Sequence, residues 1–172
     1  VQYTPENHEK IKKMMDGDDC MEFFIHETDL IKYYKNFKIK TLSEALKNGE
    51  PPKQVLKSAY LLNEQIIKEY FENIGSSRIL RTLEDLLAVT QDCLAQGQLE
   101  FIDVFLITKK DFHSYTHSTN TGMYCMALAN KLKMKPEAVR EIGLGGMLFS
   151  IGKKSIPYEI IQKEGELSPE DF

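Results

Sequence analysis

The sequence predicts an all-α protein, a helical bundle, and three observations carry that prediction. Apolar residues recur at steps of three and four over two long stretches, 53–74 and 77–96, which is the spacing of a buried helical face. Helix-start chemistry precedes the helical patterns: Thr41-Leu-Ser-Glu44 reads as a capping box, Pro136 stands in a first turn, and Ser168-Pro169-Glu170-Asp171 opens another. Helix-stop chemistry follows them, in Asn48-Gly49-Glu50-Pro51-Pro52, Gly75-Ser76-Ser77 and Gly97.

In chain order, Pro5, Glu6, Ile11, Met14 and Met15 suit a short helix ended by Asp16-Gly17. A helix is favoured over 20–35, and 36–40 stays open because Phe37 and Ile39 alternate with lysines as a short strand would. The aromatics Phe23, Phe24, Tyr33, Tyr34 and Phe37 read as a small core rather than a ligand pocket. The break at 48–52 is the main internal boundary; with the motif-bearing segment set apart from 111 onward, the chain has three regions: 1–50, 51–110 and 111–172. Within 53–74, Val55, Ala59, Leu62, Ile66 and Tyr70 form one stripe and Leu56, Tyr60, Ile67 and Phe71 a second, so this helix is buried on more than one side. Leu80, Leu83, Leu87, Thr90 and Leu94 keep heptad spacing for about two repeats, too few for a coiled coil. A helical hairpin within one bundle or a homodimer through helices 53–96 would each cover these faces. Leu99, Ile102, Val104, Phe105 and Leu106 lead through a short helix to a longer one at 115–133. Val139, Ile142, Gly143, Gly146 and Met147 mark the buried face of the next, and its glycines lower helix propensity but let a neighbour approach closely.

Composition narrows the class. The 172 residues are 42% hydrophobic and 28% charged, which suits one or two soluble domains with a core. A net charge of −4 offers no non-specific nucleic-acid surface, so no DNA partner is expected. No apolar run approaches the ~20 residues of a membrane span, and no signal peptide is legible, although the first residue is Val1 and a true N-terminus can lie upstream. Cys20, Cys93 and Cys125 are odd in number and widely spaced, which reads as reduced, mostly buried thiols in a cytoplasmic protein.

The last third carries the specific signal. Residues 141–153 read Glu-Ile-Gly-Leu-Gly-Gly-Met-Leu-Phe-Ser-Ile-Gly-Lys; upstream stands Lys110-Asp111-Phe112-His113-Ser114-Tyr115-Thr116-His117-Ser118, and downstream Ile156-Pro157-Tyr158-Glu159-Ile160-Ile161-Gln162-Lys163-Glu164-Gly165. In order and spacing these three segments resemble the HD-GYP domain, a bacterial family of cyclic di-GMP phosphodiesterases in which a helix ends in His-Asp-Ile-Gly-Lys. The resemblance implies an all-α HD-superfamily fold and a site of two or three clustered iron or manganese ions that activate water for phosphodiester hydrolysis. It places His117 on the family's first metal-binding histidine and Lys153 beside the substrate phosphate. The His-Asp pair itself is replaced by Phe149-Ser150. Phenylalanine has no lone pair to donate, and serine offers a neutral hydroxyl in place of a bridging carboxylate. The family's Gly-Tyr-Pro segment and further ligand histidines would follow residue 172.

No catalytic residue is therefore intact and no metal cofactor is expected. His117 reads as a helix-start histidine or a vestigial ligand, and Lys153 as a solvated lysine near a helix end or a phosphate contact. His113 and His117, four apart, could share adventitious zinc but make a weak site alone. His8 and His26 have no partner in the pattern. The expected function is a non-catalytic signalling module working through a protein partner or a retained cyclic dinucleotide. The rivals are a divergent metal-dependent phosphohydrolase completed by residues beyond Phe172 and a helical dimerisation unit.

Overall fold

The computed structural model describes residues 25–97, 99–109, 114–161 and 163–171. Helix 5–15, Phe23, Phe24, Cys20, His8 and His113 lie outside them. Two compact units divide the chain, Val1–Leu30 and Ile31–Phe172. In the first, His26 Nδ1 accepts the Thr28 N–H at 3.3 Å, a role at a helix start that the pattern left unassigned. The second unit holds everything from Ile31 onward.

The described residues are helical with no strand, as the periodicity predicts. After α1 (Glu27–Tyr33), residues 34–39 form a π-helical stretch that runs directly into α2 (Lys40–Lys47). The 36–40 segment is thus helix, and Tyr34 and Ile39 point inward while the intervening lysines stay exposed. Tyr33 and Phe37 stack with ring centroids 5.4 Å apart, and the Lys38 ammonium stands 5.6 Å from the Tyr33 ring. The capping box expected at Thr41 is corrected by this continuity. Ile39 and Lys40 already have helical dihedrals, and the Lys40 N–H bonds to the Phe37 carbonyl, so no free first-turn amides await a Thr41 hydroxyl.

Gly49, at φ +87°, and Pro51 turn the chain into α3 (Pro52–Glu72). Both predicted stripes are realised except at Tyr70, which is only half-buried: Val55, Leu56, Ala59, Tyr60, Leu62, Ile66, Ile67 and Phe71 are all buried. Gly75 at φ +88° and Ser76, whose Oγ accepts the Ile79 N–H at 3.5 Å, begin α4 (Ser77–Ala95). Helices α3 and α4 form a hairpin whose apolar faces are covered by each other and by later helices of the same chain. Gly97 ends it at φ +69°. The short α5 (Phe101–Ile107) has a start the sequence reading missed: the Asp103 carboxylate accepts the Glu100 N–H at 3.0 Å and the Lys53 ammonium at 2.6 Å.

The helices α6 (Ser114–Lys131) and α7 (Pro136–Leu148) pack most extensively against each other. A Cβ on Gly122 would fall 2.2 Å from Met147 Cγ and 2.8 Å from the Gly143 carbonyl; one on Gly146 would fall 2.9 Å from the Gly122 Cα. The backbones touch where these glycines meet, as Gly143 and Gly146 foretold. Met123, Met126 and Met147 fill the flanks and are fully buried. The expected buried face of α7 needs one correction, because Ile142 is 37% exposed. It stands beside the buried stripe formed by Val139, Gly143 and Met147. A 3-10 turn (Ile151–Ser155), α8 (Tyr158–Ile161) and a second 3-10 turn (Pro169–Asp171) complete the described chain. At the last, the Asp171 carboxylate accepts the Ser168 N–H at 2.6 Å.

Two glycine substitutions in α7 and its partner should therefore have opposite signs. Gly145→Ala meets nothing within 4 Å and is expected to stabilise by about 0.5–1 kcal/mol through helix propensity. Gly122→Ala must displace Met147 and the backbone of Gly143, and is expected to destabilise by about 1–3 kcal/mol. Urea unfolding followed by far-ultraviolet circular dichroism measures both.

Candidate functional site

The glycine contact sets the geometry of the segment that carries the motif. With α6 and α7 in backbone contact at 122 and 146, the first turns of α6 meet the C-terminal end of α7 and the residue pair after it. His117 and Ser118 stand on α6; Phe149 follows α7 with helical dihedrals, φ −57° and ψ −31°, and Ser150 follows it. The two pairs match across the junction. His117 and Phe149 pack edge to face, with ring centroids 5.3 Å apart and planes at 73°. Ser118 Oγ and Ser150 Oγ share a hydrogen bond of 2.7 Å, and both side chains are buried. Each pair is half inside and half outside: Phe149 is 54% exposed and Ser150 4%.

The sequence-predicted site residues are thus partly gathered. His117, Phe149 and Ser150 come together, and Lys153 follows in the 3-10 turn, exposed, with its N–H bonded to the Ser150 carbonyl at 3.0 Å. Its neighbour Lys154 is ion-paired with Glu72 at the end of α3, 3.0 Å away. Both partners are largely exposed, so the pair contributes little to stability. His117 is anchored through its backbone, whose carbonyl accepts the Thr121 hydroxyl at 2.9 Å.

The donor set at the junction does not fit the clustered iron or manganese that the motif would otherwise imply. Of its four side chains, His117 offers a nitrogen, Phe149 offers nothing, and the two serines direct their hydroxyls at each other. Among the described residues no group of three or more His, Cys, Asp or Glu is arranged to hold a metal ion. Nor is a thiol nucleophile at hand in Cys93. Burial, with the nearby Asp92 charge second, pushes its thiol up to about 12, so it stays protonated at neutral pH.

A polar cluster that sequence reasoning missed lies beside the junction. The Glu64 carboxylate, on α3, accepts the Thr116 hydroxyl at 2.8 Å and the Lys109 ammonium at 2.5 Å. Its signal was a carboxylate inside an apolar stripe, between Leu62 and Ile66. Elsewhere, a cavity of about 250 Å³ between α4 and α7 is lined by Glu84, Leu87, Glu137, Arg140, Glu141 and Leu144 and shares no residue with the junction. No helix among the described residues is long and apolar enough to cross a membrane.

No family model matches the chain, and no solved structure matches it. Two curated proteins do, each over part of its length. A Pseudomonas aeruginosa protein named cyclic di-GMP phosphodiesterase is 39% identical over 62 residues, which are 36% of this chain and 15% of that protein. A Thermotoga maritima protein of the same name is 30% identical over 92 residues, 54% of this chain and 24% of that one. The chain therefore covers about a quarter or less of these relatives, and over that part it is similar to cyclic di-GMP phosphodiesterases.

Proposed function

We propose that this chain is a degenerate, non-catalytic module of the HD-GYP kind, acting in cyclic di-GMP signalling through contact with a protein partner or through retained binding of the dinucleotide. The observation that carries the reading is the chemistry at 149–150. The motif frame stands around these positions, yet one of the two side chains is an aromatic packed on His117 and the other a hydroxyl spent on Ser118. Neither can supply the carboxylate and imidazole that a clustered metal site needs to activate water and neutralise a phosphate. The exposed Lys153, and Phe149 itself, leave a cation and an aromatic face on which a phosphate and a base could rest.

The direct test incubates the chain with cyclic di-GMP and manganese or ferrous ion, and measures heat of binding beside turnover. Binding without turnover is expected, or neither if the module works by protein contact alone. Sustained hydrolysis by the chain as it stands would overturn the reading and favour a divergent phosphohydrolase.

The junction chemistry also predicts the fate of restored ligands. Phe149→His with Ser150→Asp places two donors beside His117, so manganese affinity should rise from undetectable to measurable. Hydrolysis should stay absent, because the resemblance places the family's remaining ligand histidines after residue 172 and a cluster short of ligands loses its positioning. An unpaired acid at a position 4% exposed should also lower stability, by about 1–3 kcal/mol without metal. Thermal unfolding with and without manganese reads both effects.

The serine pair should behave as packing. Ser118→Ala or Ser150→Ala alone strands a buried hydroxyl and is expected to cost about 1–3 kcal/mol, whereas the double substitution removes both and should return close to the parent. A denaturant double-mutant cycle measures this.

A further inference from the structure

We infer that Glu64 is the positioning residue of the junction: its carboxylate ties the first turn of α6, where His117 stands, to the helical hairpin upstream. Glu64 lies in the middle of α3 and is 8% exposed. A carboxylate taken out of water at such a place is costly unless its oxygens are satisfied, and an apolar side chain there would often be as stable. Both oxygens are satisfied, and by different parts of the chain. Oε1 accepts from Thr116, which is fully buried and adjacent to His117; Oε2 accepts from Lys109, which follows α5. One turn earlier on the same helix, Tyr60 completes a second loop of bonds. Its hydroxyl donates to Asn120 Oδ1 at 2.8 Å and accepts the Lys109 N–H at 3.0 Å, while Asn120 Nδ2 donates to the Lys109 carbonyl at 2.8 Å.

Thr116 and Asn120 are four apart on α6, as Tyr60 and Glu64 are on α3, so two rungs join the helices along one line. These rungs fix how far α6 is rotated about its own axis. Because His117 is the next residue after Thr116, that rotation decides whether its ring meets Phe149. An apolar contact in place of Glu64 would hold the helices together but leave the rotation less defined, since packing is non-directional where a hydrogen-bonded carboxylate is not. A shift in the α3–α4 hairpin would accordingly reach the junction through Glu64. The inference rests on taking the His117–Phe149 junction as the working site, but its readout is structural and does not depend on any ligand.

The test follows the His117 ring protons by nuclear magnetic resonance in the intact chain, since the edge-to-face contact with Phe149 displaces them by ring current. Phe149→Leu gives the signal position without that ring. In Glu64→Leu the signal is expected to move at least half of the way to this reference, and amide exchange at 115–119 to quicken about tenfold relative to α4. Thr116→Val, which removes one bond and leaves Glu64 to Lys109, should move the signal in the same direction by less. A surface control, Lys154→Ala, which breaks only the exposed pair with Glu72, should leave it in place. An unmoved His117 signal in folded Glu64→Leu would overturn the inference. So would exchange that quickens equally in every helix, which is the mark of a general loss of stability. Should Glu64→Leu fail to fold, Thr116→Val decides alone, by the same signal.

Discussion

The backbone contact between Gly122 on α6 and Gly146 on α7 is the constraint on which the rest of the junction depends. A side chain at either position would separate the helices, because the atom it would meet is backbone or a buried methionine with no room to retreat. With the helices this close, residues near the ends of the two helices face one another, and 117 and 118 find 149 and 150. The helix propensity that the three glycines of this interface give up, about 1 kcal/mol each relative to alanine, is offset by the dispersion contacts of Met123, Met126 and Met147 around them.

The glycine contact sets distance, but it cannot set everything. Two helices touching through small residues can still roll on each other, and methionines, being unbranched, accommodate the roll. The directional contacts lie one helix further out, where Tyr60 and Glu64 grip Asn120 and Thr116. The molecule thus separates two tasks: a non-polar seam that fixes how close α6 and α7 come, and a polar seam that fixes how α6 is turned.

The fold was legible because each helix is declared twice, by period and by punctuation. The α3 stripes, the Ser76 cap and the turns at Gly49, Gly75 and Gly97 could be read directly from residue type. The misreadings have one cause, which is that a local signal is valid only in its local context. Thr41-Leu-Ser-Glu44 has the composition of a capping box, yet the backbone before it is already helical, so there is nothing to cap. Ile142 has the right chemistry for the core but stands beside the buried stripe of its helix and stays exposed. At the site, the motif frame located His117, Phe149, Ser150 and Lys153. It could not reveal that Phe149 packs on His117 or that Ser150 bonds Ser118, since both contacts join residues 32 apart. Glu64 interrupts an apolar stripe in the sequence, but its role was hidden for the same reason: its partners lie 45 and 52 residues away.

The pairing at the junction also shows how the two helix ends are held together without shared ligands. In a metal site the cohesion between the two helix ends would come from shared coordination. Here an aromatic edge on an imidazole and a hydroxyl on a hydroxyl join the same two positions. Each substitution is matched to its surroundings, the large ring at the half-open position and the small hydroxyl at the closed one. Ser150 is buried against Ser118, and a serine at 149 would remove the ring that packs on His117. Conserving the helix pair requires only that something of suitable size and polarity bridge it, which is why likeness to phosphodiesterases in this segment speaks for the architecture, and the side chains at 149 and 150 speak for what can be done with it.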